Sequence, residues 1–381
     1  MGAQRSEGAG CRGWRGWSAR LFFCLFFGFT AAHALSGVAA ADEACRIAFD
    51  MGSSGIRAGA SNHAATARAE IDFLAPLWAG RGLDELLPAT ADALRDLPRQ
   101  AGFDNACQRM GGGFSAWRLA AAQNPEKLAE QLGALHAATG VAVLVIPQIR
   151  EGAYGYRGAR QLLGERLKTS HILDIGGGSL QVAGEEATFG EPLGQKVWHR
   201  RLCLALGRGE PPSCQFQPLT KLELTAARAL AQAALQGVAP ALGGPATMTA
   251  ISRPVSRGVL PAVNRLIPRQ RDRHRLLADD LAQAIDLLAP RSADATAQAV
   301  DSKPAYVNYL LSDMLLVEGL LAATRSRELT VAEIDLTNLP GQLADDKAYQ
   351  WAGRHACYRA RLATAGVAAF DSDPAGCVEA E

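Results

Sequence analysis

An excess of charge of either sign is missing from this chain. Its 381 residues carry 39 basic and 38 acidic side chains, a formal net charge of +1, so nothing in the overall balance points to nucleic acid. No CxxC pair and no cluster of cysteine with histidine occurs, which argues against a structural metal centre. The seven histidines are scattered and form no HExxH pattern, so they read as structural or surface residues. After the N-terminal stretch there is no low-complexity segment. What the chain does have is apolar residues: 48% are hydrophobic and 20% charged, enough to build a packed core. The length fits two domains better than one.

The most informative stretch is Leu173-Asp174-Ile175-Gly176-Gly177-Gly178-Ser179-Leu180-Gln181. An apolar strand from His171 to Ile175 runs into three glycines, and a second strand leaves them at Leu180. Consecutive glycines let the backbone turn tightly and approach a ligand closely. The N–H groups of such a turn form an anion-binding concavity that suits phosphate. Asp174, at the end of the strand, is placed to hold a cation or a water beside it.

A second copy strengthens this reading. Phe49-Asp50-Met51-Gly52-Ser53-Ser54-Gly55-Ile56-Arg57 has the same order of apolar residue, Asp, apolar residue, Gly, three small residues, apolar residue and polar residue. The plainer alternative is two tight hairpins of similar composition. Because both order and spacing repeat, we expect two similar domains, each presenting a phosphate clamp to a shared cleft.

The N-terminus reads as an export signal, which predicts a periplasmic protein. Arg5, Arg12, Arg15 and Arg20 form a basic region, Leu21 to Ala32 an apolar one, and Ala39-Ala40-Ala41 a small-residue cleavage site. Left uncleaved, Leu21 to Ala41 is just long enough to span a bilayer, so membrane association is expected only in that case. Cleavage after residue 41 removes four arginines and one glutamate, leaving 35 basic and 37 acidic residues. It also leaves six cysteines, an even number that reads as disulfides in an exported chain. Proximity favours Cys203–Cys214 and Cys357–Cys377, which leaves Cys45–Cys107; the alternative is free buried thiols for some of them.

Periodicity predicts an α/β chain. Strands are expected on both sides of the first clamp, with a third over Thr66 to Phe73, and a helix over Gly82 to Gln100 that Pro88 splits. The run Gly111-Gly112-Gly113 reads as a flexible turn. Asn124-Pro125-Glu126 starts a helix that Gly140 stops. Val141 to Ile146 is a buried strand, and Glu151 to Leu163 a helix. Thr188 to Leu206 is expected to form a strand or hairpin, Leu219 to Leu235 a helix, and Ala241 to Thr247 a glycine-rich turn entering a helix. Leu276 to Leu288 and Tyr306 to Ala323 read as helices and Leu329 to Leu336 as a strand. The arginines at 253, 257, 265, 269, 271, 273 and 275 could steer a polyanion, but the commoner meaning of such a run is a solvated face.

Taken together, these motifs resemble the exopolyphosphatase/guanosine pentaphosphate phosphatase (Ppx/GppA) family, part of the fold group of actin, sugar kinases and heat-shock chaperone ATPases. The resemblance spans Cys45 to Asp345. Asp50 to Arg57 is similar to the family's first phosphate loop, usually D-x-G-S-N-S, and Asp174 to Gln181 to its D-x-G-G-G-S-T-E stretch. Phe114 to Arg118 resembles T-S-A-x-R, Glu151 to Gly158 resembles E-A-x-x-x-x-x-G, and Gly243-Gly244 the later G-G-T turn.

The resemblance implies two ribonuclease-H-like (actin-like ATPase) α/β domains flanking an active-site cleft. We expect a first domain over 42–168, a second over 169–345 and a disulfide-tied tail over 346–381. The implied chemistry is phosphoanhydride hydrolysis with Mg²⁺ or Mn²⁺. Glu151 matches the catalytic base and Arg118 a phosphate-binding arginine. Gly52, Ser53, Ser54, Gly55, Gly176, Gly177, Gly178 and Ser179 would hold phosphate, with Asp50, Asp174 and Gln181 on the metal side. Without the resemblance, Glu151 would read as an acid complementing a helix dipole and Arg118 as a surface arginine.

This chain departs from the family pattern at several positions. Gln181 stands where the family usually has Glu, which weakens metal binding; Ser54, Phe114 and Leu119 replace Asn, Thr and Glu, and Pro245 interrupts G-G-T. The expected partner is polyphosphate or another phosphorylated small molecule, with homodimer pairing implied by the resemblance alone. The alternative is a degenerate member that binds phosphate or polyphosphate without turnover.

Overall fold

The computed structural model of the protein describes residues 45–268, 273–303, 307–332, 334 and 338–377. The export segment, Arg269, Arg271, Tyr306 and Leu336 lie outside them.

The apolar run Ile47 to Phe49 and Met51 makes β1 (Arg46–Met51) a strand covered on both faces, so it sits in the middle of a sheet. It pairs antiparallel with β2 (Gly55–Ala60), which pairs antiparallel with β3 (His63–Glu70). On its other side run the parallel strands β4 (Gln108–Gly113) and β5 (Ala142–Val145), giving the order β3-β2-β1-β4-β5. The second sheet repeats this plan. β6 (His171–Ile175), β7 (Leu180–Ala183) and β8 (Thr188–Glu191) form an antiparallel meander. β9 (Met248–Ala250) and β11 (Glu328–Val331) add in parallel beyond β6, and β10 (Arg275–Leu277) closes the edge. The repeat seen in the two loop sequences is therefore a repeat of whole sheets in the ribonuclease-H strand order.

Helix boundaries follow local chemistry. The side chain of Asn124 accepts the Lys127 N–H at the start of the helix Pro125–Thr139, and Gly140 ends it in a left-handed conformation (φ 70°). Thr220 and Glu223 close a reciprocal capping box on the helix Lys221–Leu235. Pro88 does not split a helix but sits in the first turn of Leu87–Ala101, where its missing N–H costs nothing.

Three expectations are corrected. Gly111 to Gly113 is not a turn but the end of central strand β4. Glycine is needed there because neighbours close in: a Cβ on Gly112 would lie 2.8 Å from Gln342 Nε2, and one on Gly113 2.7 Å from the Trp117 ring. Thr188 to Leu206 is half strand and half helix, β8 followed by Gln195–Ala205. The Gly243-Gly244 turn leads into strand β9 rather than a helix, because the second sheet needs its fourth strand there. In addition, Leu276 lies in β10, and the helix begins only at Ala278.

The C-terminal segment returns to the first sheet. The helix Leu339–Leu343 packs on β1 and on the helix Gln148–Leu163. Trp351, Tyr358 and Phe370 are fully buried in the apolar core around Phe49 and Trp117. The cysteines pair as Cys45–Cys107, Cys203–Cys214 and Cys357–Cys377.

His355, 3% exposed, donates from Nε2 to the Val143 carbonyl at 3.1 Å. Burial is the main force holding its pKa down, at about 4. Between pH 6.5 and pH 4 the unfolded chain therefore binds a proton that the folded chain refuses, and stability falls as pH drops through that window. The loss attributable to this residue is on the order of 3 kcal/mol. His355→Gln, which keeps an N–H donor and cannot titrate, is expected to narrow the difference in Tm between pH 7 and pH 4.5. An unchanged difference in calorimetric scans would contradict this.

Candidate active site

The two Asp-led loops are built alike. Asp50 and Asp174 each occupy the last position but one of a central strand, β1 and β6. Each strand then turns through a hairpin closed by a backbone bond, Gly52 N–H to Gly55 O at 3.0 Å and Gly176 N–H to Ser179 O at 2.8 Å. Across the hairpins, Asp50 is in register with Arg57 and Asp174 with Gln181. Gln181 thus holds in the second loop the place that Arg57 holds in the first.

The tips of the loops meet. A Cβ on Gly177 would run into the Ser53 hydroxyl, and one on Gly178 would lie 2.6 Å from Ser115 Oγ. Only glycine at these positions lets the second loop sit on Ser53 and Ser115. Gly194 serves the same end from behind, since a Cβ there would lie 2.5 Å from the Gly178 backbone nitrogen. The following N–H groups, of Gln195 and Lys196, donate to the Gly176 and Gly177 carbonyls at 2.9 and 2.8 Å. The first turn of the helix Gln195–Ala205 is thereby tied to the second loop.

A cleft of about 430 Å³ opens along the loops. Of the residues singled out in the sequence, Asp50, Gly52, Ser53, Ser54, Gly55, Asp174, Gly176 and Gly177 line it. Arg57, Arg68, Lys196 and Arg253 bring four cationic side chains to its walls, against the carboxylates of Asp50, Asp174 and Glu70. Sequence reasoning left Arg68 and Lys196 without a role. It favoured a solvated face for Arg253, because a basic run carries no signal of which member turns inward.

Gly178, Ser179, Gln181, Glu151 and Arg118 are not on that lining. Glu151, 7% exposed, sits behind the second loop, where Ser179 Oγ donates to its two oxygens at 3.4 and 3.3 Å. Arg118 Nη2 lies 2.6 Å from Glu151 Oε2, and its Nη1 donates to the Ile146 carbonyl at 2.9 Å. The base and the phosphate-binding arginine expected from the sequence are therefore brought together as a buried ion pair.

Burial first, and then the Glu151 charge, raise the pKa of Asp50 to about 7, against the opposing pull of Arg57 and a hydrogen bond from Asn338. Asn338 was not singled out in the sequence. It arrives from nearly 290 positions away along the chain, just before the helix Leu339–Leu343. Its Oδ1 is buried without a hydrogen-bond partner, as is Gln181 Nε2. Asp50 and Asp174 bring hard carboxylate oxygens to the cleft, which suit Mg²⁺ or Mn²⁺ better than a soft metal, whereas the Gln181 atom left without a partner is an N–H donor that cannot ligate a cation.

No family model matches the chain, and no curated protein matches its sequence. Solved structures do match its fold. A Ppx/GppA family member from Aquifex aeolicus superposes with a TM-score of 0.59 at 15% identity, over 77% of this chain and 95% of the other. An exopolyphosphatase from Cytophaga hutchinsonii gives 0.57 at 15% identity, over 78% and 96%. A structure described as an exopolyphosphatase-like protein gives 0.55 at 17% identity, over 79% and 98%. At such identities the likeness establishes the two-sheet fold.

Proposed function

We propose that the protein is an exported member of the Ppx/GppA family that hydrolyses phosphoanhydride bonds, releasing phosphate from polyphosphate or a related phosphorylated compound. The observation that carries this reading is the meeting of two like Asp-led hairpin loops at a cleft with four cationic side chains on its walls. Phosphoryl transfer relies mainly on positioning and on neutralising charge, and this arrangement supplies both. The likeness in fold to exopolyphosphatases supports the same reading. Export rests on the N-terminal sequence and on the three cysteine pairs.

In this reading the loop backbones at Gly52 to Gly55 and Gly176 to Ser179 bind phosphate. Arg57, Arg68, Lys196 and Arg253 draw the anion in and hold its outer charges. Asp50 and Asp174 would hold Mg²⁺ or Mn²⁺, which when bound neutralises phosphate charge. Glu151, paired with Arg118, takes the proton of the attacking water.

One observation favours the second reading, a protein that binds without turnover. The Glu151 carboxylate is engaged by Arg118 and Ser179 and lies off the cleft lining. The two readings separate when phosphate release from long-chain polyphosphate is measured with the oxidised protein and Mg²⁺ or Mn²⁺, with calorimetric titration alongside. Release establishes the hydrolase. Binding without release establishes the binding protein, and absence of both removes each reading.

A further inference from the structure

Asp313 is a buried carboxyl outside the roles assigned so far. Asp313 lies in the helix Leu310–Ala323, where almost every other side chain is apolar and buried. It is 2% exposed and has no ion pair among the described residues. Its Oδ1 is buried without a hydrogen-bond partner, and burial pushes its pKa up to about 8. A carboxyl in such a place costs stability that an apolar residue of similar volume would not. What it gains is a single contact: its Oδ2 accepts a hydrogen bond from Gln195 Nε2.

That contact reaches the site. Gln195 opens the helix Gln195–Ala205, lines the cleft, and donates its backbone N–H to the Gly176 carbonyl of the second glycine loop. Docking of the two helices does not depend on Asp313. Trp198 Nε1 donates to the Ser312 carbonyl at 3.0 Å, and His199 Nδ1 lies 3.2 Å from Ser312 Oγ. Asp313 instead grips the side-chain amide of the residue whose backbone N–H holds the second glycine loop. Its neighbour Lys196 is held separately, by Asp72 at 3.2 Å.

We propose that Asp313 is a positioning residue that fixes Gln195, and through the Gln195 backbone N–H the second glycine loop, in the arrangement that receives the phosphorylated ligand. The inference rests on the phosphate-binding reading for the identity of the ligand, but not for the Asp313–Gln195–loop linkage itself. With its Nε2 engaged by Asp313, Gln195 keeps one position at the start of its helix, so the glycine loop that its backbone N–H holds is fixed before a ligand arrives, which lowers the entropy lost on binding.

The test uses tripolyphosphate as probe, with Asp313→Leu, Asp313→Asn and Gln195→Leu. Asp313→Leu is expected to weaken binding roughly 10-fold, the upper scale of one hydrogen bond, with Tm unchanged or raised. Asp313→Asn keeps an acceptor for Gln195 and is expected to stay within about 3-fold of the parent protein. Gln195→Leu should match Asp313→Leu, and the double variant should bind no more weakly than either single one. A merely structural role would instead lower Tm and leave affinity alone. Parent-like binding by Asp313→Leu, or losses that add in the double variant, would overturn the proposal. If Asp313→Leu does not fold, Asp313→Asn against Gln195→Leu still decides, because only the second should lose affinity. If the parent protein binds no tripolyphosphate, the phosphate reading fails, and hydrogen exchange at residues 176–179 decides the linkage. Faster exchange there in Asp313→Leu and not in Asp313→Asn supports it, and equal exchange in both overturns it.

Discussion

Glu151→Gln is expected to lower phosphate release by about 10²- to 10⁴-fold, the usual share of a general base, while the protein stays folded. The amide keeps an oxygen for Arg118 and for the Ser179 hydroxyl but cannot take up a proton. Removing the negative charge also relieves the repulsion that helps raise the pKa of Asp50. Glu151→Ala is a different experiment. It leaves the Arg118 guanidinium, whose side chain is 12% exposed, without a counter-charge, and should cost about 3–5 kcal/mol of stability. Activity loss in the Gln variant with little change in Tm would identify chemistry. Full activity in the Gln variant, with instability confined to the Ala variant, would make Glu151 no more than the structural partner of Arg118.

Gly194→Ala is expected to displace the second glycine loop. Gly194 has φ −67° and ψ 167°, a conformation open to any residue, so the effect is one of space alone. The added Cβ would lie 2.5 Å from both the Gly178 nitrogen and its carbonyl carbon. These are backbone atoms that no rotamer change can move aside. Overpacking of this kind costs about 1–3 kcal/mol. The shift also separates the second loop from Ser53 and from the Gln195 and Lys196 N–H groups. Tripolyphosphate affinity should fall at least ~10-fold, since the anion-binding N–H groups no longer converge. Gly353→Ala is the control: a Cβ there meets nothing within 4 Å, and it lies at the end of a helix, so binding should be unchanged. Equal affinity in the two variants would show that close packing behind the loop does not matter to the site.

Several elements were legible in the chain because their causes are local. The helix Pro125–Thr139 is announced by Asn124 and Pro125 and ended by Gly140, and β5 by an unbroken apolar run. The two Asp-led loops announced themselves by repeating one spacing, which is short enough to lie within a single hairpin. The three cysteine pairs followed from proximity and an even count.

The sequence by itself therefore determined the α/β class and the duplicated loops, since a strand, a turn and its hydrogen bonds all lie within about ten residues. Tertiary structure alone decided what surrounds them. Gly111 to Gly113 read as a turn because nothing nearby shows that Gln342 and Trp117 will press against that strand. Arg68 on β3, Lys196 on a helix and Arg253 after β9 share no spacing, and they meet only because two sheets place their loops at one cleft. Asn338 and Asp313 reach Asp50 and Gln195 across more than a hundred residues each, and Glu151 and Arg118 become partners only once β5 and its flanking helices pack. Such contacts leave no periodic trace in sequence, because they depend on where whole elements dock rather than on the conformation of any one of them.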